Sequence, residues 1–171
     1  MNTALKKAYD LERKGLDAYI DLAAMSKNAL ARKTLFSLAS AEIEHMMKID
    51  DIAFSMDKKE PWASAETSFK ASDIEIKIKD FFVNTKKEAL DQSSDDAGII
   101  KKAMDFERKS YELYSDLSKK AGSDAEKRFY EAMMKQEELH YDALENVNYY
   151  LTRTGDWFCH EESKRWNWMN I

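Results

Sequence analysis

The chain has 171 residues and a formal net charge of −5, with acidic and basic side chains interleaved throughout. That length fits one domain; the mixed charge offers no phosphate-neutralising stripe and so excludes nucleic acid as an expected partner. Four Gly and one Pro leave few turns for anything but an all-α chain. The single cysteine, Cys159, excludes an internal disulfide and a four-thiolate iron site built from this sequence alone.

The first predicted helix runs from about 3 to 26, with an inward stripe of Leu5, Ala8, Glu12, Gly15, Tyr19 and Leu22 at alternating three- and four-residue steps. A short turn near Ser26-Lys27-Asn28 leads to a second helix, about 29 to 56, whose stripe is Leu35, Leu38, Glu42, His45, Ile49 and Ile52. From about 57 to 94 a long connection containing Pro61 must carry the chain back along the bundle; Ile74, Ile76 and Ile78 alternate there and suit a strand or a short helix equally.

A third helix, about 95 to 121, presents Ile100, Ala103, Glu107, Ser110, Tyr114 and Leu117. Gly122 closes it, and Ser123-Asp124-Ala125-Glu126 is a capping box opening a fourth helix, about 124 to 153. The fourth stripe reads Tyr130, Met133, Glu137, His140, Leu144, Val147 and Leu151. The bundle is expected over 1–155. The aromatic tail, 156–171, with Trp157, Phe158, Trp166 and Trp168, is expected to pack on the bundle or a partner subunit; Cys159, His160 and Glu161 as a further metal site is the less favoured reading. The opening residues lack a signal-peptide core, and nowhere do eighteen apolar residues run together, so a cytoplasmic protein without a membrane span is expected.

The second half repeats the first at a constant offset of 95 residues. Asp10-Leu11-Glu12-Arg13-Lys14 returns as Asp105-Phe106-Glu107-Arg108-Lys109, and Glu42-Ile43-Glu44-His45 as Glu137-Glu138-Leu139-His140. Two antiparallel hairpins facing each other across a pseudo-twofold axis follow from that match. In each hairpin a Glu stands where an apolar residue belongs, opposite a Glu-x-x-His pair whose two side chains share one helix face.

Burying four carboxylates and two imidazoles without compensation costs several kcal/mol per ionised group, more than a marginally stable domain tolerates. Two divalent cations cancel the four carboxylates. Each would take one imidazole and one terminal carboxylate, leaving two carboxylates to bridge; the mixed oxygen and nitrogen donors suit iron or manganese, and zinc is compatible by ligand type. The expected metal ligands are therefore Glu12, Glu42, His45, Glu107, Glu137 and His140. Tyr19 and Tyr114, two turns beyond Glu12 and Glu107, are candidates for hydrogen bonds to those ligands or for plain core packing. Glu44 and Glu138 fall off the face and read as solvated charges. The small residues Gly15 and Ser110 either leave a pocket beside the metals or allow close helix approach.

With these residues the chain resembles the rubrerythrin branch of the ferritin-like superfamily over about residues 3 to 153. The resemblance implies a ferritin-like four-helix bundle with a di-iron centre that reduces hydrogen peroxide or dioxygen in oxidative-stress defence, commonly as a homodimer. Rubrerythrins add a rubredoxin domain that supplies electrons. One cysteine cannot form that site, so an external donor such as a rubredoxin-type protein is implied. They also carry an extra glutamate one turn after the third-helix ligand, where this sequence has Ser110, and that puts their redox-linked iron shift in doubt here. Ferroxidase activity, iron storage, or a metal-stabilised interaction bundle without turnover are the alternatives.

Overall fold

The computed structural model describes residues 3–57 and 94–152. Four helices make up this part: α1 Thr3–Met25, α2 Ala29–Asp57, α3 Ser94–Lys119 and α4 Asp124–Thr152. The chain is an all-α, ferritin-like four-helix bundle. α1 packs most extensively on α2 and α3 on α4, forming the two expected hairpins, while α1 meets α3 and α2 meets α4 across the bundle. Most of the connection expected at 57–94 and the whole 156–171 tail, including Cys159, His160 and Glu161, lie outside the described residues. No helix among the described residues is long and apolar enough to cross a membrane.

Every helix runs from one apolar core through a polar layer into another. One core gathers Tyr19, Leu30, Leu35, Leu38, Ile100, Leu144 and Val147; the other gathers Leu5, Ile49, Ile52, Tyr114, Phe129, Tyr130 and Met133. Along each helix the Glu and His positions fall between these two sets, so the bundle holds its ionisable residues in a mid-length slab sealed at both ends. Burying a large apolar side chain contributes roughly 1.5–3 kcal/mol, and these two cores supply the favourable term that offsets confinement of the polar slab.

The turns differ despite the repeat. Asn28 and Ser123 are equivalent N-caps. Asn28 Oδ1 accepts from the amides of Leu30 at 2.9 Å and Ala31 at 3.1 Å, and Ser123 Oγ accepts from the Glu126 amide at 3.2 Å. The expected capping box closes one residue early, because the Glu126 carboxylate accepts from the amide of Gly122 at 2.8 Å. At the first turn the carboxylate comes from the other hairpin. Asp96, buried in the first turn of α3, accepts from Ser26 Oγ at 2.5 Å and from the amides of Lys27 and Asn28, each at 3.0 Å. α3 stops short of 121 because its end tightens into i to i−3 bonds, Lys120 amide to Leu117 carbonyl and Ala121 amide to Ser118 carbonyl.

Candidate metal centre

All six expected ligands are buried and meet in the polar slab. Glu12, Glu42, His45, Glu107, Glu137 and His140 are each at most 2% exposed. Their donor atoms form two groups, Glu12–Glu42–His45 and Glu42–Glu107–Glu137–His140, with the atoms of each group within 4.8 Å of one another. Glu42 belongs to both. Glu137 also spans the two, its Oε1 lying 3.6 Å from His45 Nδ1 and its Oε2 3.5 Å from His140 Nδ1. The imidazoles of His45 and His140 lie nearly parallel, centroids 5.4 Å apart. Glu12 pairs with His45, Oε2 to Nδ1 at 2.7 Å, and Glu107 Oε1 stands 3.5 Å from His140 Nδ1.

The tyrosines brace this layer crosswise. Tyr19 on α1 donates to Glu107 Oε1 on α3 at 2.5 Å, and Tyr114 on α3 donates to Glu12 Oε1 on α1. Each hairpin therefore orients the lone glutamate of the other. Burial, reinforced by the nearby carboxylates, with Glu107 foremost for Tyr19 and Glu12 for Tyr114, pushes both phenols well above their usual range and keeps them protonated donors.

Charge crowding in the cluster is severe when no cation shares it. Burial, then the charge of Glu12, holds Glu42 well above the ordinary carboxylate range; burial, then the charges of Glu12 and Glu107, does the same to Glu137. Burial also works to raise Glu12, but hydrogen bonding with Glu42 and the neighbouring His45 and Tyr114 outweigh it and leave Glu12 lowered. His45 is raised: burial opposes its charged form, and Glu12 overrides that penalty. Within the cluster five buried atoms lack a hydrogen-bond partner: Glu107 Oε2, both Glu137 carboxylate oxygens and both His140 ring nitrogens. Buried polar groups are almost always satisfied. Unsatisfied carboxylate and imidazole atoms converging within ligand distance fit a bound metal, and the donor types suit iron, manganese or zinc.

Gly15 gives no pocket. A Cβ there would lie 2.7 Å from Phe106 Cε1 and 3.2 Å from Glu42 Cδ, so glycine serves close approach of α3 to α1. The Phe106 ring fills the space and meets Tyr19 edge-on at 5.8 Å. Ser110, the repeat mate of Gly15, is buried on α3. Glu44 is exposed, as expected. Glu138 is also solvent-facing, yet it lines a cleft of about 250 Å³ together with Arg108, Tyr111, Tyr141 and the buried Glu107 and Glu137. Periodicity could not single out Tyr111 and Tyr141, which lie beside the inward stripes. The sequence signal that marks them is the break in the repeat, where the first hairpin has Leu16 and Met46.

Fold and cluster together define a ferritin-like bundle with a buried acidic and imidazole group able to bind metal. The family model described as Rubrerythrin matches residues 3–148, and the chain belongs to that family. No curated protein and no solved structure matches the chain.

Proposed function

We propose that the chain is a di-iron oxidoreductase that reduces hydrogen peroxide, with dioxygen as the second oxidant, in the cytoplasm. The observation that carries this reading is the position of Glu42 and Glu137 between two imidazole-containing groups, the arrangement two bridged cations require. His45 with Glu12 would hold one iron and His140 with Glu107 the other, with Glu42 and Glu137 shared. When bound, such an iron pair supplies two reducing electrons and Lewis-acid polarisation of an O–O bond.

The chain's own contribution is positioning and dryness. Tyr19 and Tyr114 fix the free carboxylate oxygens of Glu107 and Glu12, and the two apolar cores keep bulk water from both ends of the slab. Each peroxide reduced to two waters consumes two electrons and two protons. The electrons are assigned to a separate rubredoxin-type donor. The exposed apolar row Phe36, Ile43, Met47 and Phe54 on α2 supports assembly as a homodimer.

Metal analysis of the purified protein, then anaerobic reduction and stopped-flow reoxidation with peroxide against dioxygen, tests the proposal. Two irons per chain and faster reoxidation by peroxide are expected. Glu42→Ala and Glu137→Ala should abolish metal-dependent turnover. Full activity in either variant would sink the assignment, and consumption of ferrous iron in large stoichiometric excess would reassign the protein as a ferroxidase.

A further inference from the structure

The pseudo-twofold symmetry of the ligands does not extend to the surface that covers them. Between α3 and α4 a cleft of about 250 Å³ is lined by Arg108, Tyr111, Glu138 and Tyr141 and ends against Glu107 and Glu137. A water molecule occupies about 30 Å³ in the liquid, so the cleft has room for an ion with part of its hydration shell. The equivalents of Tyr111, Glu138 and Tyr141 on the first hairpin are Leu16, Ile43 and Met46, all apolar. Hydroxyl and carboxylate groups at these three positions are therefore a property of the second hairpin, while Arg108 recurs as Arg13.

Both floor residues carry atoms that want a cation. Glu107 Oε2 and both carboxylate oxygens of Glu137 are fully buried and make no hydrogen bond, the imidazole nitrogens of His45 and His140 standing 3.6 and 3.5 Å from Glu137. At the mouth, Glu138 is 60% exposed and reaches Lys135 only at 3.9 Å, while Arg108 is turned to Asp105 at 3.2 Å. An exposed pair at that separation neutralises little. The mouth thus keeps an available carboxylate, and the buried carboxylates lie directly beneath it. Glu107 and Glu137 close the cleft rather than being exposed in it, so a side-chain rotation in its wall, a motion of picoseconds to nanoseconds for partly exposed residues, completes the path.

We propose that this cleft is the route by which a divalent cation reaches the buried cluster, with Glu138 drawing the ion to the mouth and Glu107 and Glu137 receiving it. The proposal rests on the metal-centre reading above. It makes Glu138 a loading residue and not a ligand of the finished site.

Cobalt(II) uptake by the metal-free full-length protein, followed by visible absorbance in 0.1 M salt, tests the route without any turnover. Glu138→Lys should slow uptake about fivefold, the scale of a charge reversal acting on a divalent ion at a solvated mouth, with final cobalt per chain unchanged. Lys135→Gln should speed uptake. Glu44→Lys makes the same charge change on exposed α2; with a Debye length of about 10 Å it should leave the rate near wild type. Equal slowing by Glu44→Lys and Glu138→Lys, or no slowing by Glu138→Lys, overturns the route. Loss of bound cobalt in Glu138→Lys overturns the loading role by making Glu138 a ligand. Wild-type protein that binds no cobalt overturns the metal centre itself, which separates that failure from failure of the route.

Discussion

Tyr114 and Glu12 show what single residues do here. The phenol is fully buried and donates to a carboxylate on the opposite hairpin, a charge-assisted bond of the kind that contributes about 1.5–3 kcal/mol. Tyr114→Phe should lower stability by about that amount, read as a shift in urea midpoint without a change in slope, and weaken metal affinity more than it alters helix content. Gly15→Ala tests the opposite constraint. Alanine favours a helix by about 1 kcal/mol over glycine, but here its methyl would meet the Phe106 ring, and overpacking of that kind costs about 1–3 kcal/mol. A net loss of about 1 kcal/mol is expected. Gly15→Ala with Phe106→Leu should recover it, and a gain in stability from Gly15→Ala alone would show that the ring yields freely. The six clustered residues were legible in the sequence because an ionisable group on an apolar stripe has nowhere to go but the interior. The direction of the tyrosine bonds was not. Spacing placed Tyr19 near its own Glu12, whereas its hydroxyl reaches across to Glu107, a choice set by how the hairpins dock and not by position along one helix.

At the scale of elements, the helices and both hairpins follow from periodicity and short turns, with ends shifted by a residue or two where capping geometry decides. The Asp96 clamp was not legible. Its repeat mate is Met1, so internal symmetry gives no hint, and acids such as Asp95 and Asp96 in a first helical turn are favoured by the helix dipole whether or not they clamp another segment. In the structure Asp96 satisfies two backbone amides and a hydroxyl of the α1–α2 turn. Asp96→Ala should therefore cost about 3 kcal/mol or more, since each buried amide left without an acceptor costs about 1–3 kcal/mol. Ser123→Ala, at the exposed equivalent cap, should cost only about 1 kcal/mol. Equal losses in the two variants, measured by denaturant unfolding, would remove the distinction between a clamp that ties the hairpins together and a local cap.

For the whole molecule, the polar slab makes stability depend on both pH and metal. Glu42, Glu137 and His45 all have folded-state pKa values raised above their unfolded ones. Each favours the fold most fully below its unfolded pKa, about 4.5 for the carboxyls and 6.5 for the imidazole, and loses that contribution as pH rises through the raised value. Glu12, lowered, acts the other way: its contribution is present above 4.5 and is lost on acidification through its folded value. Three groups against one predict that the metal-free protein loses stability as pH climbs from mildly acid to neutral. Metal should reverse the trend by replacing the protons, with proton release on binding. Thermal melts of stripped and reloaded protein across that range check this; a metal-free melting temperature that rises toward neutrality would contradict the raised values of Glu42, Glu137 and His45.

The crossed tyrosine bonds also separate two kinds of order that usually disappear together. A chain that keeps its helical circular dichroism but loosens the seam between hairpins would release Glu12 from Tyr114 and Glu107 from Tyr19 at once. Bound metal would then report the docking of the two halves, and it would be lost in a molten globule whose far-ultraviolet spectrum still looked native.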